Sequence, residues 1–196
     1  MRTRGNLGEA IDELIAGYSP KDIQRMQWNF SETIRTLGPD YRQQLEESIS
    51  THLLGTFLKA GLMHRQGTFG PMKGTVGDNA AQYWLMVASQ CRTGDAKTDR
   101  IRFLKYLLAG FCMFVLETPG HPAGMPFPGG DTVQCIDGIW YCPVRTKAND
   151  VDAALCPFCP AQQTPEIGYL KPPVNAGELK KQEFISNCYE HHHFNG

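Results

Sequence analysis

The sequence predicts a mainly α-helical fold: a bundle of about five helices, then a small cysteine-rich β-hairpin and knuckle, then a last C-terminal helix. Three observations predict it. Apolar residues recur at spacings of three and four through most of the first 116 residues. One of those segments, Ile101 to Leu116, is apolar nearly all round, as a helix enclosed by others is. Beyond residue 118, prolines, glycines and cysteines replace the helical pattern. The 196 residues suit one domain, with a helical part at 1–118, a cysteine-rich part at 119–177 and a last helix at 178–190.

The first helix spans residues 6–17, with Leu7, Ile11, Leu14 and Ile15 on one side. The second opens at Ser19, where Pro20 suits the first helical position and Asp22 the positive end of the helix dipole. Ile23, Met26, Phe30, Ile34 and Leu37 form its stripe, and Gly38 and Pro39 end it. The third runs from about Asp40 to Met63 on Tyr41, Leu45, Ile49, Leu53, Phe57 and Leu58. A glycine-rich loop leads to a fourth, capped by Asp78 or Asn79, with Tyr83, Trp84, Val87 and Ala88 inward. Thr98 or Asp99 opens the fifth, which the pattern places at the centre of the bundle.

After the Pro119 to Pro122 break, Thr132 to Cys142 alternates around Asp137-Gly138, a strong hairpin-turn signal. That turn pairs Ile136 with Ile139, Cys135 with Trp140, and Val133 with Cys142. Residues 160–177 read as a proline-rich connection, and Leu179, Phe184 and Ile185 as the contacts of the last helix.

Composition narrows the function. A hydrophobic content of 41% supports a packed core, and 20% charged residues argue against disorder. A net charge of -1 gives no global attraction to nucleic acid or anionic membrane. Phe103 to Leu116 falls short of the ~20 residues a membrane span needs, and Lys105 interrupts it. With no apolar run after the basic N-terminus, and seven cysteines, the expected setting is a reducing cytoplasm. No phosphate-binding glycine loop, GxSxG or HExxH pattern is present, so nucleotide and hydrolase readings lack a motif.

The cysteines carry the sharpest signal. Two residues separate Cys156 from Cys159, a spacing that lets one turn point both sulfurs at one ion. A redox dithiol would sit at a helix start in a βαβ unit, and no such pattern surrounds this pair. Cys142 joins by spacing. In the hairpin register Cys135 is its diagonal neighbour, ~7–8 Å away, so the two could converge. Cys135 and Cys188 compete for the fourth position, with His191 of the histidine tail as a third candidate. Each of Cys142, Cys156 and Cys159 precedes a proline, as the last ligand of ferredoxin-type clusters does. The hairpin-and-knuckle layout instead suits structural zinc. Zinc and a [4Fe-4S] cluster both stay open.

Other polar groups receive plainer readings. Cys91 and Cys112 lie among apolar neighbours and read as small buried hydrophobes. His121, Asp131, Arg145, Lys147, Asp150 and Asp152 crowd the cysteine region, and His121 reads as a loop hydrogen-bond partner. Lys97, Arg100, Arg102 and Lys105 read as a solvated helical face.

The run His121 to Gly130 (HPAGMPFPGG), with WYCPV at Trp140 and ALCPFCPA at Ala154, resembles an uncharacterised archaeal protein family, found mainly in methanogens. The resemblance implies a cytoplasmic archaeal protein in which His121, Gly129, Gly130, Cys142, Cys156 and Cys159 match the pattern, while Cys135 and the histidine tail do not belong to it. The expected role is a metal-stabilised accessory module with a protein partner. A redox protein carrying a cluster, and a nucleic-acid-binding zinc knuckle, are the alternatives.

Overall fold

The computed structural model describes residues 3–127, 130–146 and 155–164. Five α-helices form the body: α1 (Arg4–Ile15), α2 (Pro20–Thr33), α3 (Pro39–Arg65), α4 (Ala80–Gln90) and α5 (Ala96–Gly110). A π-helical turn, Phe111–Val115, extends α5 without a break. Strands β1 (Gln134–Ile136) and β2 (Ile139–Cys142) make a hairpin. A short 3-10 turn at Cys156–Phe158 precedes β3 (Gln162–Gln163). The C-terminal helix expected at 178–190 lies outside the described residues.

Local chemistry sets the helix starts. Thr3 caps α1, its hydroxyl accepting from the Asn6 backbone N–H at 3.2 Å. The Ser19 N–H donates to Asp22 at 2.8 Å, and Pro20 takes the first position of α2, as the sequence implies. The fifth helix starts earlier than expected. Asp95 caps it by accepting from the Lys97 and Thr98 N–H groups, so Thr98 and Asp99 lie inside its first turn.

Helix α5 is the centre of the bundle. Leu104, Leu107, Leu108, Phe111 and Val115 are fully enclosed, packing with Ile11 and Ile15 of α1, Ile23 and Met26 of α2, and Ala60 and Met63 of α3. Gly8 on α1 lets that helix approach closely, since a Cβ there would overlap the Phe69 ring. Three expected inward residues face solvent: Leu14, Leu58 and Ala88. On α3 the reason is the seam itself. Its buried positions are Tyr41, Leu45, Ile49, Thr56, Ala60 and Met63, and Leu58, at 56% exposure, lies off that line. Thr56 is the polar member of the seam, facing Cys112.

Three strands in the order β1-β2-β3 form a small cap. The observed pairs are Gln134 with Tyr141, Cys135 with Trp140 and Ile136 with Ile139, the register that the alternation predicts. Asp137 (φ 51°) and Gly138 (φ 79°) both take the left-handed region that a two-residue hairpin turn requires. Strand β3 lies parallel to β2, inside a stretch that reads as connection from sequence. Met125, Phe127, Val133, Cys142, Val144 and Ala161 pack with Phe30, Ile34, Tyr41 and Leu45, seating the cap on α2 and α3. On its other side Phe158 meets the Tyr83 ring edge-on at 5.3 Å, beside α4 and α5.

Candidate functional site

Two chain segments bring three sulfurs together beneath the cap. Cys142 ends β2, and Cys156 and Cys159 bracket the 3-10 turn that precedes β3. The parallel pairing of Tyr141 with Gln162 and of Cys142 with Gln163 ties these segments. The Thr164 N–H donates to the Cys142 carbonyl at 3.2 Å, and Arg145 Nε donates to the Ala161 carbonyl at 3.0 Å. Gln163 adds a third tie, its side-chain amide donating to the Pro143 carbonyl at 2.9 Å.

The sulfurs sit in a dry environment. Cys142 and Cys156 are each 4% exposed, and Cys159 is partly buried. Burial pushes the Cys142 thiol up to about 11 and the Cys156 thiol to about 12. Each of these two also feels the charge that Cys159 would carry, and Cys156 that of Cys142. Backbone N–H groups oppose the effect. The Val144 amide serves the Cys142 sulfur, while the Ala161 and Gly120 amides serve that of Cys159. In both Cys142-Pro143-Val144 and Cys159-Pro160-Ala161 the donor is the second residue after the sulfur, so the same local turn is used twice. Amides aimed at sulfur favour thiolate, the form in which cysteine binds a metal.

All six described cysteines are free thiols. Among the described residues no group of three or more His, Cys, Asp or Glu side chains is closed into metal-holding geometry. The hairpin leaves Cys135 exposed, paired with Trp140 on β1, all of whose residues are exposed, while Cys142 at the end of β2 is buried. Cys188, His191, Lys147, Asp150, Asp152 and Gly129 lie outside the described residues. The donor set here is therefore three thiols of like chemistry, near enough to feel one another's charge but not gathered into a metal-holding group.

A second group of polar residues adjoins the sulfurs, and most of it escapes a reading of the sequence. A cleft of about 520 Å³ opens between α3 and the loop after the π-helical turn. His52, Thr56 and Lys59 line it from α3, Cys112 and Thr118 from the end of α5, His121 from the loop and Trp140 from β2. Cys112 Sγ lies 3.9 Å from His52 Nε2 and 3.6 Å from the Thr56 hydroxyl. Burial lowers the pKa of His52, partly offset by its hydrogen bond to the Gly120 backbone. Gly120 thus touches both groups, its carbonyl accepting from His52 and its N–H donating toward Cys159. Burial and the neighbouring His52 hold His121 down to about 4.

The frame of this cleft is a helix end. The Thr118 N–H reaches the Cys112 carbonyl at 2.9 Å, and Glu117 takes a left-handed φ of 56°, a helix-terminating arrangement. Arg4 braces it, donating to the Val115 carbonyl at 2.6 Å and to Glu117 at 2.6 Å. Cys112, read from sequence as a small buried hydrophobe, is buried but polar in its contacts. The only sequence signal for His52 and Thr56 is their four-residue spacing on one helix face.

Among the described residues no helix is long and apolar enough to cross a membrane. No solved structure matches the chain. Among curated proteins, a "UPF0305 protein" of Methanothermobacter thermautotrophicus is 50% identical over 52 residues, covering 26% of this chain and 34% of its own. A second, from Methanopyrus kandleri, is 38% identical over 61 residues, covering 31% of this chain and 43% of its own. A third, from Methanococcus maripaludis, is 28% identical over 79 residues, covering 39% and 48%. The matched stretches thus span between about a third and a half of these relatives. The profile of a family described as "Uncharacterized protein conserved in archaea (DUF2115)" matches residues 3–164, which takes in the bundle, the hairpin and Cys142, Cys156 and Cys159, and the chain belongs to that family.

Proposed function

We propose that Cys142, Cys156 and Cys159 hold a structural metal ion, zinc, which fastens the cap to the bundle, and that the fastened cap presents a surface to a protein partner. The observation that carries this reading is three thiols from two chain segments, two buried and Cys159 partly so, with backbone amides aimed at their sulfurs. Such a set suits a thiophilic ion, and binding would release the thiol protons that burial now retains. The cap has need of a fastener. Its strands have three, four and two residues, and sheets that short are marginal without a further tie. The fourth position falls to Cys135, Cys188 or a solvent oxygen. Ile136 and Ile139, paired and exposed beside the hairpin turn, supply the apolar spot a partner would cover.

Purification without air, followed by metal analysis and a visible spectrum, tests the reading. Colourless protein with about one zinc per chain, lost in Cys156→Ser, is the expected result. Brown protein with iron and sulfide would replace zinc by a cluster and the scaffold role by electron transfer. Folded protein free of metal would end both.

A further inference from the structure

The cleft beside the sulfur knuckle holds the parts of a nucleophilic site, and they are independent of any metal at the knuckle. Cys112 Sγ faces His52 Nε2 at 3.9 Å across the floor of a 520 Å³ opening. A carbonyl can only accept, so one ring N–H of His52 donates to Gly120. When Nδ1 is that donor, Nε2 keeps a lone pair for the Cys112 thiol. A thiol, a base within reach and a third group that orients the base form the pattern of an activated nucleophile. Burial raises the Cys112 thiol above its ordinary value, and the Thr56 and Thr118 hydroxyls that approach the sulfur offset part of that rise. The thiol sits on a π-helical turn, a rare backbone form that is frequent at functional sites.

We propose that this cleft is an acyl-transfer site in which Cys112 is the nucleophile and His52 the general base, acting on activated acyl compounds such as esters and thioesters. In the first step the Cys112 sulfur bonds to the acyl carbon as its proton passes to His52 Nε2. The carbon–leaving-group bond then breaks, and the leaving group takes the proton from His52. Water or a second nucleophile cleaves the resulting thioester by the reverse proton path, restoring the thiol. No oxidant or reductant enters. Trp140 and residues of the Thr118–Ala123 loop line the same open cleft as Cys112, which gives the acyl group a place beside the sulfur.

p-Nitrophenyl acetate is a suitable probe with the full-length protein. The expected result is a burst of about one p-nitrophenolate per chain, with acetyl mapped to the Cys112 peptide by mass spectrometry. The burst rate should fall at least 100-fold in His52→Gln, a loss within the usual range for a general base. It should also stay flat between pH 7 and 8, because a neutral imidazole removes the proton. A thiol attacking unaided would instead gain about tenfold per pH unit through its thiolate. Circular dichroism of the variant confirms its fold, and the pH profile of the native protein needs no variant. Acetyl confined to Cys91 or Cys135, a burst unchanged in His52→Gln, or a tenfold rise per pH unit would each overturn the proposal.

Discussion

In the bundle, Leu104, Leu107 and Phe111 have no exposed surface and are enclosed by α1, α2 and α3. In the cap, a hairpin of seven strand residues and a two-residue third strand rest on α2 and α3 over a few apolar side chains. The first region holds the larger share of the fully enclosed side chains; the second gathers its polar chemistry, three thiols and a proline-rich knuckle, on short strands. A small cap with a short hydrogen-bonded seam can order residues that a helix cannot, but it depends on specific ties. The same division runs through the cleft, whose base and nucleophile stand on the rigid helices while His121 and Trp140 come from the cap side.

The largest effect belongs to the bundle. Phe111→Ala should cost about 3–5 kcal/mol, because it empties a fully enclosed site against the Phe69 ring. Urea unfolding followed by helical circular dichroism measures the change; a loss under 1 kcal/mol would show that α5 is not the centre.

Acid acts next, at the boundary. An unfolded histidine titrates near 6.5, while His121 in the fold is held at about 4. Between those values the unfolded chain binds the proton first. Stability is therefore full above pH 6.5, falls as the pH drops through that interval, and levels off below it. The loss from this one group approaches about 3 kcal/mol, and the lowered His52 adds in the same direction. His121→Gln should flatten the difference in urea midpoint between pH 7.0 and pH 4.5. An unchanged difference would place the titration elsewhere.

Removing metal should separate the two regions. A chelator, or Cys156→Ser, should speed amide exchange in β1, β2 and β3 by about 10- to 100-fold, a difference of roughly 1.4–2.8 kcal/mol in local opening. Exchange in α5 should stay as it was. Equal acceleration in both would mean that the cap and bundle are one cooperative unit. The smallest effect is local: Gly138→Ala should cost about 1 kcal/mol, because φ of 79° disfavours a Cβ. It should slow hairpin closure and leave the bundle core untouched by near-ultraviolet dichroism.

Some of this molecule is legible in its sequence because local rules carry it. Asp137-Gly138 and the alternation around it specify the hairpin pair by pair. The Cys156–Cys159 spacing and the repeated Cys-Pro steps pick out the three sulfurs that are buried together, and the periodicity of Ile101 to Leu116 marks the central helix. The rest depends on contacts between distant residues. Strand β3 is two glutamines, and only the edge of β2 makes them a strand. The π-helical turn, apolar at every position, runs on from the apolar end of α5, and no residue in it marks the change of helix type. His52 and Cys112 are 60 residues apart, and each looks ordinary until α3 and α5 cross.

The central claim is that the buried sulfurs share one metal ion. X-ray absorption at the zinc edge, on protein purified without air, tests it most directly. The account predicts three or four sulfur neighbours at about 2.3 Å and the loss of that shell in Cys156→Ser. Zinc with only nitrogen and oxygen neighbours, or no bound zinc in a fully folded protein, would contradict it.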